Sequence, residues 1–289
     1  KQVKSTLGRP YGAVMLSLNR AWKRLSYKKE CIRGIHAINI LVREGLPDWR
    51  DIPVVINNRN RLTYMQQQID WLEDVGCRKI ILLDNDSTYP PLLAYYARTP
   101  HRVIRTGRNL GYMALWRSGL FPEIRKSFFI YTDPDVVPDP ACPKDAIAMF
   151  YEALVQHRVF NKVGFSLRID DLPQHNNARE DVMLWEKRFW AEEFDERFYR
   201  AGIDTTFAVY RPWGTSRRPP LNPCLRSKPP YAARHLPWYE DSANLTEEQR
   251  YYYDHIAPET SWWGLHGSTA RQRLLRKRRE SEQTAAAKK

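Results

Sequence analysis

A chain of 289 residues that is 43% hydrophobic and 12% aromatic can bury a sizeable core, and it has no run of about 18 apolar residues to span a bilayer. These figures exclude a disordered chain and an integral membrane protein. The net charge of +13 suggests a nucleic-acid ligand only until it is located, because residues 1–29 hold eight bases and no acid, residues 271–289 hold eight bases and two acids, and the body between them is close to neutral. No nucleic-acid partner is therefore expected, while the basic ends suit an anionic membrane surface.

In chain order, Val14, Leu18, Trp22 and Leu25 are spaced four, four and three residues apart among basic residues, which predicts a basic amphipathic helix over 13–29. It is expected to pack on the main domain or to lie on an anionic lipid surface. From residue 52 the pattern alternates: IPVVI predicts a strand, Thr63 with Gln66 a capping box for the next helix, and Gly76 its end. KIILL (79–83), RVIR (102–105) and SFFIY (127–131) read as strands, with helices in PPLLAYYAR (90–98) and YMALWRSGL (112–120). This alternation predicts an α/β fold with a mainly parallel sheet, whose ligands bind beyond the carboxyl ends of the strands. The second half reads as a helix over 143–157, a strand over 163–169, a helix over 182–194, and strands at TTFAVY (205–210) and YAARHL (231–236). Residues 211–230, rich in proline and arginine, read as a loop. The expected organisation is a basic helical extension over 1–50, an α/β domain over 51–240 and a helical, basic tail over 241–289.

The strand ends carry polar clusters: Asn57 to Arg61, Asp84 to Ser87, and Thr132 to Asp135. A parallel sheet brings such ends together. The sharpest cluster is Asp133-Pro134-Asp135. In an extended chain residues i and i+2 share a side, and proline biases the residue before it toward that geometry, so both carboxylates can face one hard cation such as Mn²⁺ or Mg²⁺. A calcium loop of the EF-hand type is excluded, because Pro138 and Lys144 stand where it needs Gly and Glu. Four scattered cysteines without a C-x-x-C pair suggest neither zinc nor a redox pair, and a reduced compartment is expected. The first 30 residues show no secretory signal pattern, so the expected location is cytoplasmic, peripheral at the inner face of a membrane.

IPVVINNRNR, LLDNDST, RNLGYMALWRSG and FIYTDPDVV together resemble, in order and spacing over about residues 52–140, the family 2 glycosyltransferases of GT-A fold with their D-x-D motif. Asn57 and Asn58 stand where that family usually has proline and threonine, and Asp86 where it has glycine. The resemblance implies a UDP- or GDP-sugar donor held through a Mn²⁺ or Mg²⁺ ion on Asp133 and Asp135, with a glycan or lipid-linked acceptor. By position, Asn57, Arg59, Asp84 and Asn85 would hold the nucleoside, and Arg105, Arg108 and Asn109 would reach a phosphate or ribose, with Asp133 also on the donor. The resemblance further implies a histidine ligand from a late strand, for which His235 is best placed and His255 and His266 are rivals.

An inverting transfer, the expected outcome, also needs a carboxylate base. Asp171 and Asp204 rank first and Glu186 next; the x-E-D signature that the resemblance implies for the base has literal matches at Arg179-Glu180-Asp181 and Tyr239-Glu240-Asp241, and both lack the expected surroundings. Trp213 and Trp238, in loops, are the expected sugar-stacking aromatics. The alternatives are a non-catalytic nucleotide- or glycan-binding module of the same fold and a metal-dependent nucleotidyltransferase.

Overall fold

The structure, a computed structural model, describes residues 9–176, 179–215 and 223–256. Its strands are β1 (Val54–Asn58), β2 (Ile80–Asp84), β3 (Arg102–Arg105), β4 (Phe129–Thr132), β5 (Val136–Pro138), β6 (Lys162–Gly164), β7 (Ser166–Leu167), β8 (Phe198–Arg200), β9 (Ala208–Tyr210), β10 (Cys224–Ser227) and β11 (Ala232–His235). The helices are α1 (Arg9–Glu44), α2 (Thr63–Asp74), α3 (Pro90–Tyr96), α4 (Ala114–Arg117), α5 (Phe121–Ile124), α6 (Ala146–Gln156), α7 (Arg179–Glu186) and α8 (Glu247–Asp254).

The main sheet has eight strands in the order β3-β2-β1-β4-β9-β6-β10-β8. β3, β2, β1 and β4 are parallel neighbours, β9 runs antiparallel between β4 and β6, and β10 returns parallel to β6. β1 and β2 are buried along their whole length; their first residues are apolar on both faces, and Asn57, Asn58 and Asp84 at their ends are buried polar groups. Val54, Ile56, Ile80 and Leu82 face one core with Met65, Ile69 and Leu72 of α2 and Ile147 and Phe150 of α6. Val55, Ile81 and Leu83 face a second core with Ala114 and Leu115 of α4 and Ile124 of α5. The alternation with a period of two therefore sorts helices to both faces. At the β3 edge Arg102 and Arg105 are exposed, charges of a kind that discourage pairing with another chain.

A second, three-stranded sheet of order β5-β11-β7 stands at the carboxyl ends of the parallel strands. Two segments pass from the main sheet into it: β4 through Asp133 to Asp135 into β5, and β6 through Phe165 into β7. The run 163–169 is thus two strands in two sheets, where its pattern predicts one. The 211–230 stretch is not all loop either, since Cys224–Ser227 pairs with both β6 and β8. The helix expected over 182–194 becomes α7 to Glu186, a 3₁₀ turn to Trp190, and then an irregular stretch before β8. Residues 112–120 form a 3₁₀ turn and the short α4 rather than one helix.

Gly76 ends α2 as its spacing predicts: at φ +90° it takes the left-handed form that lets Gly76 and Cys77 N–H return to Glu73 and Leu72 carbonyls, each at 2.9 Å. The start of α2 departs from expectation. Thr63 is not a capping residue; Glu248 of α8 accepts from Leu62 N at 2.7 Å, Thr63 N at 3.0 Å and Thr63 Oγ1 at 2.7 Å. The orphan amides are satisfied from 185 residues away. α8 carries its own capping box on Thr246 and Gln249.

The late part of α1 packs on the body. Ile38 is fully buried, and the buried Arg211 donates through Nη1 to the carbonyls of Glu30 (3.1 Å) and Cys31 (3.3 Å). This close approach requires Gly34, where a Cβ would overlap the Arg211 guanidinium and the Pro212 carbonyl. Leu25 and Ile32 stay exposed. The side chains of Val14, Leu18 and Trp22, on which the lipid-surface expectation rests, lie outside the described residues, as do Trp262, Trp263, His266 and the basic segment 271–289. No helix among the described residues is long and apolar enough to cross a membrane.

Replacing Glu248 by Ala is expected to lower folding stability by about 1 kcal/mol, the usual value of a lost N-terminal cap. Chemical denaturation of the two proteins checks this, with the midpoint falling and the slope unchanged.

Candidate functional site

The site is built where β4 leaves the main sheet. Gln68 of α2, fully buried, aims its Nε2 at Thr132 Oγ1 (3.0 Å) and at the carbonyls of Asp133 (3.0 Å) and Val136 (2.6 Å), so the Asp133-Pro134-Asp135 turn is pinned from below. The turn is pinned from the side too: Leu236 N donates to Asp135 O at 2.9 Å, and β11 pairs with β5 so that His235 lies opposite Val136. β9 runs antiparallel to β4 with Ala208 opposite Tyr131, which brings the residues before β9 to the same rim. There Thr205 Oγ1 donates to Asp133 Oδ2 at 3.0 Å.

These contacts gather like charges. Burial raises the pKa of Asp133 well above the carboxylate range, Asp135 and Asp204 raise it further, and the Thr205 hydroxyl and Lys162 oppose this. His235 Nε2 stands 3.7 Å from Asp135 Oδ1, its Nδ1 is buried without a hydrogen-bond partner, and its ring packs 4.8 Å from that of Trp238. Burial lowers the pKa of this imidazole, so the neutral ring, the form that can ligate a metal, is favoured despite Asp135 nearby. The 3.7 Å separation is too long for a hydrogen bond. Among the described residues no three His, Cys, Asp or Glu side chains already converge as a metal-binding group.

Beside the acids lies a buried cation that was not singled out from the sequence. Arg61 is 1% exposed and donates through Nη1 to Glu240 Oε1 at 2.9 Å, with its guanidinium 3.5 Å from the centroid of the Tyr252 ring. Tyr64 donates to Glu240 Oε1 at 2.9 Å and Tyr253 donates to Oε2. Burial opposes the Arg61 charge, but Tyr252, Glu240 and Asp135 favour it more, so its pKa is raised. Glu240 belongs to the Tyr239-Glu240-Asp241 stretch, which was the one available sequence signal for this group.

The residues expected on the nucleotide side come together at the ends of β1 to β3, with differing engagement. Asn57 is buried, its Oδ1 has no partner and its Nδ2 reaches Gly111 O at 3.4 Å. Asp84 accepts from Ser87 N (3.2 Å) and from Arg105 Nε (3.3 Å), the arginine side chain being 60% exposed. Asn85 is fully engaged within the protein, accepting from Leu110 N at 2.6 Å and donating to Asn109 Oδ1 and Gly111 O, each at 3.1 Å. Asn85 and Asn109 thus hold the 109–111 loop. Arg59 donates to His255 O at 2.8 Å, and Arg108 is exposed. His255 faces Tyr251, with its Nδ1 2.8 Å from that carbonyl and its ring stacked on the Tyr251 ring, so it is no rival to His235.

The three candidate bases separate clearly. Asp171 receives Arg234 Nη2 and Tyr239 OH at 2.6 Å each, within an ion network that includes Arg168 and Asp139. Glu186 is buried and paired with Arg226 Nη1 at 2.7 Å. Asp204 is exposed, and its carboxylate makes no hydrogen bond or ion pair among the described residues. Trp238 is not a loop contact for a sugar; it is 6% exposed in the core against His235. Trp213 is partly exposed, with the Arg125 and Arg33 guanidinium carbons 4.4 and 5.3 Å from its ring centroid. A shallow groove of about 860 Å³, lined by His157, Val159, Phe160, Phe194, Arg200 and Pro223 among others, opens at the amino ends of β6 and β10, away from the acids.

No protein-family model matches the chain, and no curated protein matches its sequence.

The Asp133 pKa yields a signed expectation. A folded-state value raised above the unfolded one means that ionised Asp133 destabilises the metal-free fold, a penalty present at neutral pH and absent once the pH falls below the ordinary carboxylate value of about 4. Asp133→Asn should therefore raise the Tm in chelator at pH 8, and the gain over the parent should shrink as the pH is lowered. Equal Tm values at pH 8 would show that the carboxylate is not crowded.

Proposed function

We propose that the chain is a metal-dependent glycosyltransferase of GT-A type, transferring a sugar from a UDP- or GDP-sugar to a hydroxyl of a glycan or lipid-linked acceptor. The observation that supports this most is the Asp133-Pro134-Asp135 turn at the carboxyl end of a central parallel strand, with His235 brought against Asp135 by a strand late in the chain. The strand order, with one antiparallel strand beside β4, is compatible with that fold.

On this reading Asp133, Asp135 and His235 hold Mn²⁺ or Mg²⁺; two carboxylates and a neutral imidazole suit such an ion, and a cation would relieve their mutual repulsion. The bound cation supplies charge stabilisation for the departing nucleoside diphosphate. Asn57, with its free buried acceptor, and Asp84 face the nucleoside. The exposed Arg105 and Arg108 side chains reach phosphate. Asp204 takes the proton of the acceptor hydroxyl, since it is the candidate base whose carboxylate no arginine occupies. Asp171 and Glu186 serve the scaffold instead.

A donor screen with Mn²⁺ and UDP-, GDP- and CMP-sugars, reading released nucleotide, tests the assignment. Turnover of one donor is expected; a protein that binds a nucleotide without turning over any donor would be the binding module instead. Asp133→Ala and Asp135→Ala should each lower turnover on the order of a thousandfold at saturating metal with the fold retained. In His235→Ala the Mn²⁺ concentration for half-maximal turnover should rise about tenfold or more while the choice of nucleotide is kept. Overlaying metal titrations of that variant and its parent would remove His235 from the ligand set.

A further inference from the structure

Lys162 is the anomaly of the central sheet. It is 1% exposed and stands in β6 between β9 and β10, where an aliphatic side chain would fill the space without the cost of burying an amine. Among the described residues it forms no ion pair. Its Nζ donates to the carbonyl oxygen of Asp204 at 2.6 Å and to Tyr210 OH at 2.8 Å, and sits 4.7 Å from the Tyr210 ring centroid.

The Asp204 carbonyl belongs to the turn that enters β9. The next residue, Thr205, is the one that hydrogen-bonds Asp133 Oδ2 at 3.0 Å. A continuous path therefore runs from a buried amine in β6, through one backbone carbonyl and one hydroxyl, to a carboxylate at the candidate cation site. Hydrogen bonds of this kind behind a metal ligand fix its orientation, and their loss typically costs about 10- to 100-fold in metal affinity.

We propose that Lys162 is a positioning residue: it anchors the Asp204–Thr205 turn and through Thr205 orients the Asp133 carboxylate toward a divalent cation. The proposal rests on the cation-site reading given above. An aliphatic residue at 162 would take from the part-buried Asp204 carbonyl the donor that fixes it, and the turn would shift to find another partner. Thr205 would then lose its hold on Asp133.

The test is Mn²⁺ binding, with no nucleotide present, read from the electron paramagnetic resonance signal of the free ion. The proteins are the parent, Lys162→Met, Lys162→Gln, Thr205→Val and the Lys162→Met/Thr205→Val double variant, each checked for cooperative melting by circular dichroism. The expected result is that each single variant binds Mn²⁺ about tenfold or more weakly, and that the double variant is no weaker than the poorer single one, because both remove the same support. Parent-like binding by Thr205→Val overturns the proposal whether or not the lysine variants fold. So do fully multiplicative losses in the double variant, and so does failure of both lysine variants to fold, which would make Lys162 a requirement of the core alone. A parent protein that binds no Mn²⁺ contradicts the cation-site reading itself and removes the proposal with it.

Discussion

Burial of the Asp133 carboxyl among other acidic groups at the end of β4 is the constraint around which the site is arranged. Burial penalises the Asp133 charge most, Asp135 two residues away adds to this, and Asp204 adds less. Left to itself such a turn would splay into solvent. It is kept in place by backbone contacts that no charge can disturb: the Gln68 amide under the turn, the β5–β11 pairing and the Leu236 amide on the Asp135 carbonyl. The fold thus holds the Asp133 carboxyl where its charge is disfavoured, a cost that a proton or, on the proposed reading, a divalent cation would relieve.

The same concern for charge explains why the described C-terminal segment lies where it does. Arg61 is buried and needs a carboxylate, and Glu240 provides it, with Tyr64 donating to the same oxygen and Tyr253 to the other. Removing one partner of such a pair would leave a buried charge uncompensated, which is commonly worth about 3–5 kcal/mol. α8 follows directly, and its Glu248 closes the start of α2, the helix that also carries Gln68. The late residues therefore steady the helix that pins the Asp133 turn.

What was legible from the residues follows from range. β1, β2 and β4 are apolar runs, β1 and β2 pair as sequence neighbours, and the polar clusters after the three strands announce the rim. The Asp133-Pro134-Asp135 cluster was visible in the same way, but it forms a turn where the residues predict an extended chain. The elements that escaped depend on distant partners. Cys224–Ser227 is a strand only because β6 and β8 flank it, and its Arg226 is buried only because Glu186 waits for it. A capping box at Thr63 was a sound local reading, but a carboxylate from α8 took its place. Asp171 looked like a free base because nothing local reveals that Arg234 and Tyr239 converge on it. Lys162 lies just ahead of the 163–169 run, and no sequence feature announces that its register opposite Tyr210 leaves it buried.

The measurement that bears most directly on the central claim is anomalous diffraction at the manganese edge from crystals grown with Mn²⁺ and UDP. The account predicts a single strong peak between the Asp133 and Asp135 carboxylates and within ligand distance of His235, with the diphosphate of UDP completing its shell. A manganese ion bound elsewhere, or UDP bound with no ion at that turn, would contradict it.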